Sequence, residues 1–263
     1  MNTAIISLVI MGVVALVFGL IIALAYSKFK VEVDPRVEEI FEILPGVNCG
    51  ACGYPGCQNY AEAVASGAAP PNKCTVGGPE VAAKVAAIMG LEAGEVERKV
   101  AKVLCIGDRE KSVWSAEYDG PQTCSAAHAA GGAGKACSYG CLGFGDCVEA
   151  CPFDAIHMND KGIPVVDEEK CTGCGLCAEA CPRDIIVIES IKKRTYVFCR
   201  SHDTPKRSRE VCSVACIACG ICVRLAPEGL KMEDNLAVVI DHEKVTDQAI
   251  EKCPTKVLFR MEP

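Results

Sequence analysis

The sequence predicts an α+β protein built in sections: a long apolar N-terminal helix, a small helical four-cysteine domain, then two tandem β/α units. Three observations predict it. Residues 4–26 carry no charge and are rich in Ile, Leu, Val and Ala. Twenty cysteines occur in 263 residues, most of them in four short runs. The run from Cys212 aligns without a gap on the run from Cys137. The divisions expected are 1–28, 34–78, a connecting stretch of helices and a strand over 79–134, a first unit over 135–190 and a second, degenerate one over 191–263.

Ala4 to Tyr26 is long enough to cross a bilayer as one helix. A cleaved signal is opposed by the absence of Lys or Arg before the stretch and by its length. Lys28, Lys30 and Arg36 follow directly, so the positive-inside rule puts the C-terminal bulk in the cytoplasm. The expectation is a single-pass protein of the cell's inner (plasma) membrane. A net charge of −7 argues against a nucleic-acid partner. Aromatics are only 5%, too few for one large core, so small domains with staples are expected.

In a reducing compartment the cysteines are not read as disulfides. The plainest run is Cys171-Thr-Gly-Cys174-Gly-Leu-Cys177-Ala-Glu-Ala-Cys181-Pro182. Its C-x2-C-x2-C-x3-C-P spacing is that by which bacterial ferredoxins hold [4Fe–4S] clusters, with the fourth thiolate serving the neighbouring cluster. Structural zinc sites pair two CxxC halves instead. Upstream, Asp34-Pro35 opens a helix with Val37, Ile40, Phe41 and Leu44 on one face, ended by Pro45-Gly46. Cys49, Cys52 and Cys57 follow, then a small-residue helix through Ala65, a loop over residues 68–72, and Cys74. That spacing suits one cubane held by a glycine-rich loop. Pro79 to Met89 reads as a packing helix, Gly90 to Val96 as a turn into another helix, and Val100 to Ile106 as a strand carrying Cys105. Ser125 to Lys135, rich in Ala and Gly, reads as a flexible connection.

The stretch from Cys137 to Ile188 resembles a two-cluster ferredoxin. It has Cys137, Cys141, Cys147 and Cys151-Pro152, a strand pair at Ala155 to Met158 and Ile163 to Asp167, then the plain run. The crossover of that fold implies one cluster on Cys151, Cys171, Cys174 and Cys177, and another on Cys137, Cys141, Cys147 and Cys181. In the second copy Phe144 aligns with Cys219 and Cys151 with Ala226, and Cys253-Pro254 matches Cys181-Pro182. This copy has lost one complete ligand set and keeps Cys216, Cys219, Cys222 and Cys253. Cys105, Cys124, Cys199 and Cys212 remain. They make either a further cubane, giving five [4Fe–4S] clusters in all, or separate buried thiols, leaving three to four.

The N-terminal helix, the Asn48-Cys49-Gly50-Ala51-Cys52-Gly53-Tyr54-Pro55-Gly56-Cys57 motif and the Cys-Pro-rich region together resemble the B subunits of the Rnf complex, the membrane ferredoxin:NAD⁺ oxidoreductase coupled to ion translocation. The resemblance covers nearly the whole chain. It implies an oxidoreductase component that only relays electrons. Soluble reduced ferredoxin would be the donor, and the other subunits would carry flavins, the nicotinamide site and the ion path. No catalytic acid, base or nucleophile is expected.

Lys192, Lys193, Arg194, Arg200, Lys206, Arg207 and Arg209 form a basic stretch able to steer an acidic ferredoxin. His128, His157, His202 and His242 match no metal-ligand spacing. Asp146 and Glu149 are expected to face solvent, and Trp114 to be core. Two competing classes remain: a membrane-anchored iron–sulfur redox sensor, and a zinc-stapled scaffold.

Overall fold

The computed structural model describes residues 2–29, 34–95 and 97–261. The expected charge at Lys30 and the end of the expected helix at Val96 lie outside these. Helix α1 (Asn2–Phe29) contains a 24-residue stretch, Ile5–Lys28, long and apolar enough to cross a membrane, with none of its surface buried against the rest. At 1.5 Å per residue it reaches about 36 Å, against a hydrocarbon core of about 30 Å.

Helices α2 (Pro35–Ile43), α3 (Cys57–Ala65) and α4 (Gly78–Met89) form the small N-terminal domain. Asp34 caps α2 by accepting from the Arg36 amide at 2.9 Å, with Pro35 at the first turn. Val37, Ile40 and Leu44 are buried against Tyr60, Val64 and Val85, while Phe41 turns partly to solvent. Residues 91–95 are irregular, so the helix expected after Gly90 does not start there.

Strand β1 (Lys99–Val103) and helix α5 (Cys124–Ala129) precede α6 (Asp146–Glu149), β2 (Ile156–Met158), β3 (Pro164–Val166), α7 (Leu176–Glu179) and β4 (Ile186–Ser190). The second unit comprises β5 (Thr195–Val197), α8 (Pro205–Val211), α9 (Ile221–Leu225), β6 (Leu230–Glu233), β7 (Leu236–Val239), α10 (Asp247–Glu251) and β8 (Leu258–Arg260). Four antiparallel pairs organise the two units alike: β1 with β4 and β2 with β3, then β5 with β8 and β6 with β7. β1 lies before the first ferredoxin-like stretch, yet pairs along its whole length with β4, Lys99 opposite Ser190. Cys105 and Cys199 each fall two residues beyond the end of the corresponding strand, not within it.

The cores are small, as the aromatic content requires. Ala101, Ile156, Ile163, Ile185 and Ile186 surround cysteines in the first unit; Tyr196, Phe198, Leu230 and Leu258 do so in the second. Lys102 of β1, 1% exposed, pairs with Glu168, which also holds Arg194 at 2.7 Å just before β5. A buried ammonium left alone would cost several kcal/mol, so this carboxylate fastens the two units where the chain passes between them.

Residues 125–135 are not a loose connection. Thr123 caps α5 through the Ala126 amide, Ala127 is fully buried with Ala133 and Leu142, and Lys135 is 6% exposed. The Ala run is helical because its start is held twice, by the Thr123 cap and by Asp146, far along the chain.

Candidate iron–sulfur sites

All twenty cysteines are free thiols, and they line five cavities of about 330 to 380 Å³, four to each. Site 1 gathers Cys49, Cys52, Cys57 and Cys74. Site 2 gathers Cys151, Cys171, Cys174 and Cys177. Site 3 gathers Cys124, Cys141, Cys147 and Cys181. Site 4 gathers Cys105, Cys137, Cys199 and Cys212, and site 5 Cys216, Cys219, Cys222 and Cys253. Among the described residues no three His, Cys, Asp or Glu side chains form a site for a single metal ion. A lone ion draws its ligands to one point, whereas these thiols are spread over cavity walls, as a multi-iron cluster requires.

Two thiols are exchanged relative to the sequence expectation. Cys137 does not join Cys141, Cys147 and Cys181; Cys124 does. The cause is local. Phe144 occupies the position where the second unit has Cys219, so the fourth thiol must come from elsewhere, and α5 brings it. Asp146 docks that helix: its carboxylate accepts from the Cys124 amide at 2.6 Å and from the Ser125 amide at 3.1 Å. These bonds also hold the Asp146 carboxyl below its ordinary range against the opposing effect of its burial. Asp146 is thus a structural acceptor, not the solvent-facing side chain expected, while Glu149 is exposed. The aligned residue of the second unit is Ile221, which has no helix to dock.

Cys137 and Cys212, aligned in the repeat, then do the same work at site 4, as do Cys105 and Cys199. Site 4 is a junction, two ligands from each unit. Gly145 and Gly220, aligned likewise, take left-handed conformations (φ +89° and +67°) immediately before α6 and α9. At site 2, Gly173 (φ +67°) sits so near β1 that a Cβ there would lie 2.5 Å from the Lys99 carbonyl oxygen.

At site 1, Asn48 accepts from the Cys57 amide at 2.8 Å and so ties the start of the loop to the start of α3. Tyr60 is 1% exposed; its hydroxyl donates to the Pro70 carbonyl and accepts from the Lys73 amide, fixing the approach to Cys74. Amides also point at sulfur: Gly77 at Cys74 (3.3 Å), Ala101 at Cys171 and Ser201 at Cys199 (both 3.4 Å). Such bonds favour the more anionic state of a cluster.

Burial, reinforced by neighbouring thiolates, pushes the thiols of Cys141, Cys147, Cys177 and Cys199 up to about 12 and that of Cys222 to about 11. Ligation requires thiolates, so the charge of bound iron must offset this cost, and loading the sites releases protons.

Among the described residues no histidine lines a cysteine cavity, and His242 packs edge-on against Tyr196. Trp114 is not a core residue; it is half-buried between the charges of Arg109 and Lys135, at 5.1 and 5.3 Å from its ring centre. The basic stretch is partly committed, since Lys193 pairs with Glu189 and Arg194 with Glu168.

Three family descriptions match in succession: "Putative Fe-S cluster" over residues 44–76, "4Fe-4S dicluster domain" over 137–188 and "4Fe-4S single cluster domain of Ferredoxin I" over 213–258. Among curated relatives, the B subunit of the "Proton-translocating ferredoxin:NAD(+) oxidoreductase complex" of Clostridium ljungdahlii is 42% identical over 97% of this chain and 92% of its own length. The chain belongs to the family of Rnf B subunits. The family's "Na(+)-translocating" member from Acetobacterium woodii is 44% identical over 97% of this chain and 77% of its own. The B subunit of the "Ion-translocating oxidoreductase complex" of Methanosarcina acetivorans is 37% identical over 96% of each. These Rnf B subunits therefore match the chain through its second unit as well as its first.

Proposed function

We propose that this chain is the iron–sulfur relay of a membrane ferredoxin:NAD⁺ oxidoreductase, taking electrons from soluble reduced ferredoxin and passing them to other subunits, which translocate ions. The observation that carries the reading is that twenty thiols meet four by four at five cavities, with no thiol left over. Five [4Fe–4S] clusters held there would supply one-electron transfer without bond making. The cysteines ligate them, the apolar walls exclude water, and the amides aimed at sulfur adjust potential. α1 would hold the chain in the inner membrane as a single pass, its bulk cytoplasmic.

The sites neighbour one another in the order 1 to 5. Cys49 of site 1 is near enough to Cys174 of site 2 to oppose its ionisation, and Cys177 of site 2 acts likewise on Cys147 of site 3. The Cys141 amide of site 3 donates to the Cys105 sulfur of site 4 at 3.4 Å. The Cys216 amide of site 5 lies close enough to the Cys199 sulfur of site 4 to favour its thiolate. The test is iron and acid-labile sulfide on chain purified without oxygen. About twenty of each per chain is expected. About sixteen would remove one site from the reading, and stoichiometric zinc in place of iron would overturn it.

Lys206, Arg207 and Arg209 are exposed on α8, which runs directly into Cys212 of site 4. Replacing all three with Ser should slow reduction by ferredoxin at low salt, and added salt should erase the difference from wild type. Equal rates at low salt would exclude this helix as a steering surface.

A further inference from the structure

Lys135 is a buried cation with no anion of its own. It is 6% exposed, and its ammonium donates to the Gly107 carbonyl at 2.6 Å and the Cys141 carbonyl at 2.7 Å. No carboxylate pairs with it among the described residues. The nearest buried acid along the chain, Asp108, is bound to Lys111 at 3.0 Å and to the amides of Glu110 and Lys111. On its other side the Lys135 ammonium lies against the Trp114 ring. Desolvating an ammonium is costly, and neutral carbonyls and a ring offset only part of that cost.

What the ammonium faces is site 4. Lys135 lines that cavity together with Cys105, Cys137, Cys199 and Cys212. A methyl group placed on Gly140 would lie 3.4 Å from both the Lys135 ammonium and the Cys137 sulfur, so the two flank one small gap. The ammonium also favours the thiolates of Cys212 and Cys141. Repeat alignment puts Glu210, exposed, at the corresponding position of the second unit, whose own cation at this cavity is Arg200, only partly buried.

We propose that Lys135 is the fixed counter-charge of a cluster at the junction site, raising its reduction potential relative to the same ligand set without the ammonium. The proposal rests on the reading of site 4 as a cluster site. A cubane with four thiolates becomes more negative by one charge on reduction. A fixed positive charge inside a low-dielectric wall stabilises the reduced form more than the oxidised one. Two partly buried cations lie nearby: Arg200 lines site 4 itself, and Arg183 lies at the wall of site 3, where its guanidinium donates to the Cys137 and Gly140 carbonyls at 2.7 and 2.8 Å. Both remain in place when Lys135 is changed.

The experiment uses the full chain in detergent, purified without oxygen, as wild type, Lys135→Met, Lys135→Arg and Cys212→Ser. Iron is counted first, and each cluster's potential is then followed by electron paramagnetic resonance during redox titration. The signal missing in Cys212→Ser identifies the junction cluster. In Lys135→Met that signal should move to lower potential while the others hold, and Lys135→Arg should restore it. Loss of the junction iron in Lys135→Met but not in Lys135→Arg would also support a charge role. Full iron with unmoved potentials in Lys135→Met would overturn the proposal and leave the five-cluster reading standing, as would equal disturbance by Met and Arg. Wild-type chain with about sixteen iron, undiminished by Cys212→Ser, would overturn the site-4 reading itself.

Discussion

Replacing Cys124 with Ser should lower the iron of the purified chain by about four, at the site shared with Cys141, Cys147 and Cys181. The grouping makes a sharper claim through pairs of substitutions. Changes that share a site should not add, whereas changes at separate sites should. Cys124→Ser with Cys181→Ser therefore costs about four iron, and Cys124→Ser with Cys212→Ser about eight. Cys137→Ser with Cys212→Ser again costs about four, because both thiols line the junction. If Cys137 instead completed the set with Cys141, Cys147 and Cys181, that last pair would cost about eight. The physical basis is the missing thiol at Phe144 and the helix that replaces it, docked on Asp146 by two amide bonds.

Cys212→Ser has the larger consequence for electron flow. Site 4 stands between sites 1 to 3 on one side and site 5 on the other, with an amide-to-sulfur bond toward site 3 and the Cys216 amide of site 5 close to its Cys199 sulfur. Without it, the second unit has no intervening site through which to exchange electrons with the first. Rapid mixing with reduced ferredoxin should then turn one bleaching phase into two, with the clusters beyond the break lagging. Single-phase bleaching at the wild-type rate, with iron lower by about four, would mean the sites are not in series.

Much of this was legible in the sequence, and the two exchanged thiols show where legibility stopped. The CxxC runs announce their own sites because neighbouring ligands lie a few residues apart, and sites 2 and 5 emerge as read. Site 3 does not, because Cys124 reaches it from seventeen residues before Cys141. Its placement depends on one carboxylate contact between distant segments, which carries no period or spacing. The Ala and Gly composition of 125–135 suggests looseness for the same reason: the Thr123 cap is local and readable, but Asp146 is not. Lys135 and Lys102 are likewise ordinary lysines in the sequence, and only folding reveals that both are buried. The repeat, by contrast, contained the answer. Its symmetry makes Cys137 and Cys212 equivalent, and giving them different duties broke an equivalence the fold retains.

The two-plus-two origin of the junction ligands also orders assembly. Each half alone supplies only two of the four thiols, Cys105 and Cys137 from one, Cys199 and Cys212 from the other. Iron can be retained there only once both halves have folded and met, whereas the other four sites each draw on a single domain. On the proposed reading, a cluster at the junction would be the last to mature and the first to be forfeited when the halves part, and would report whether the chain has been put together correctly.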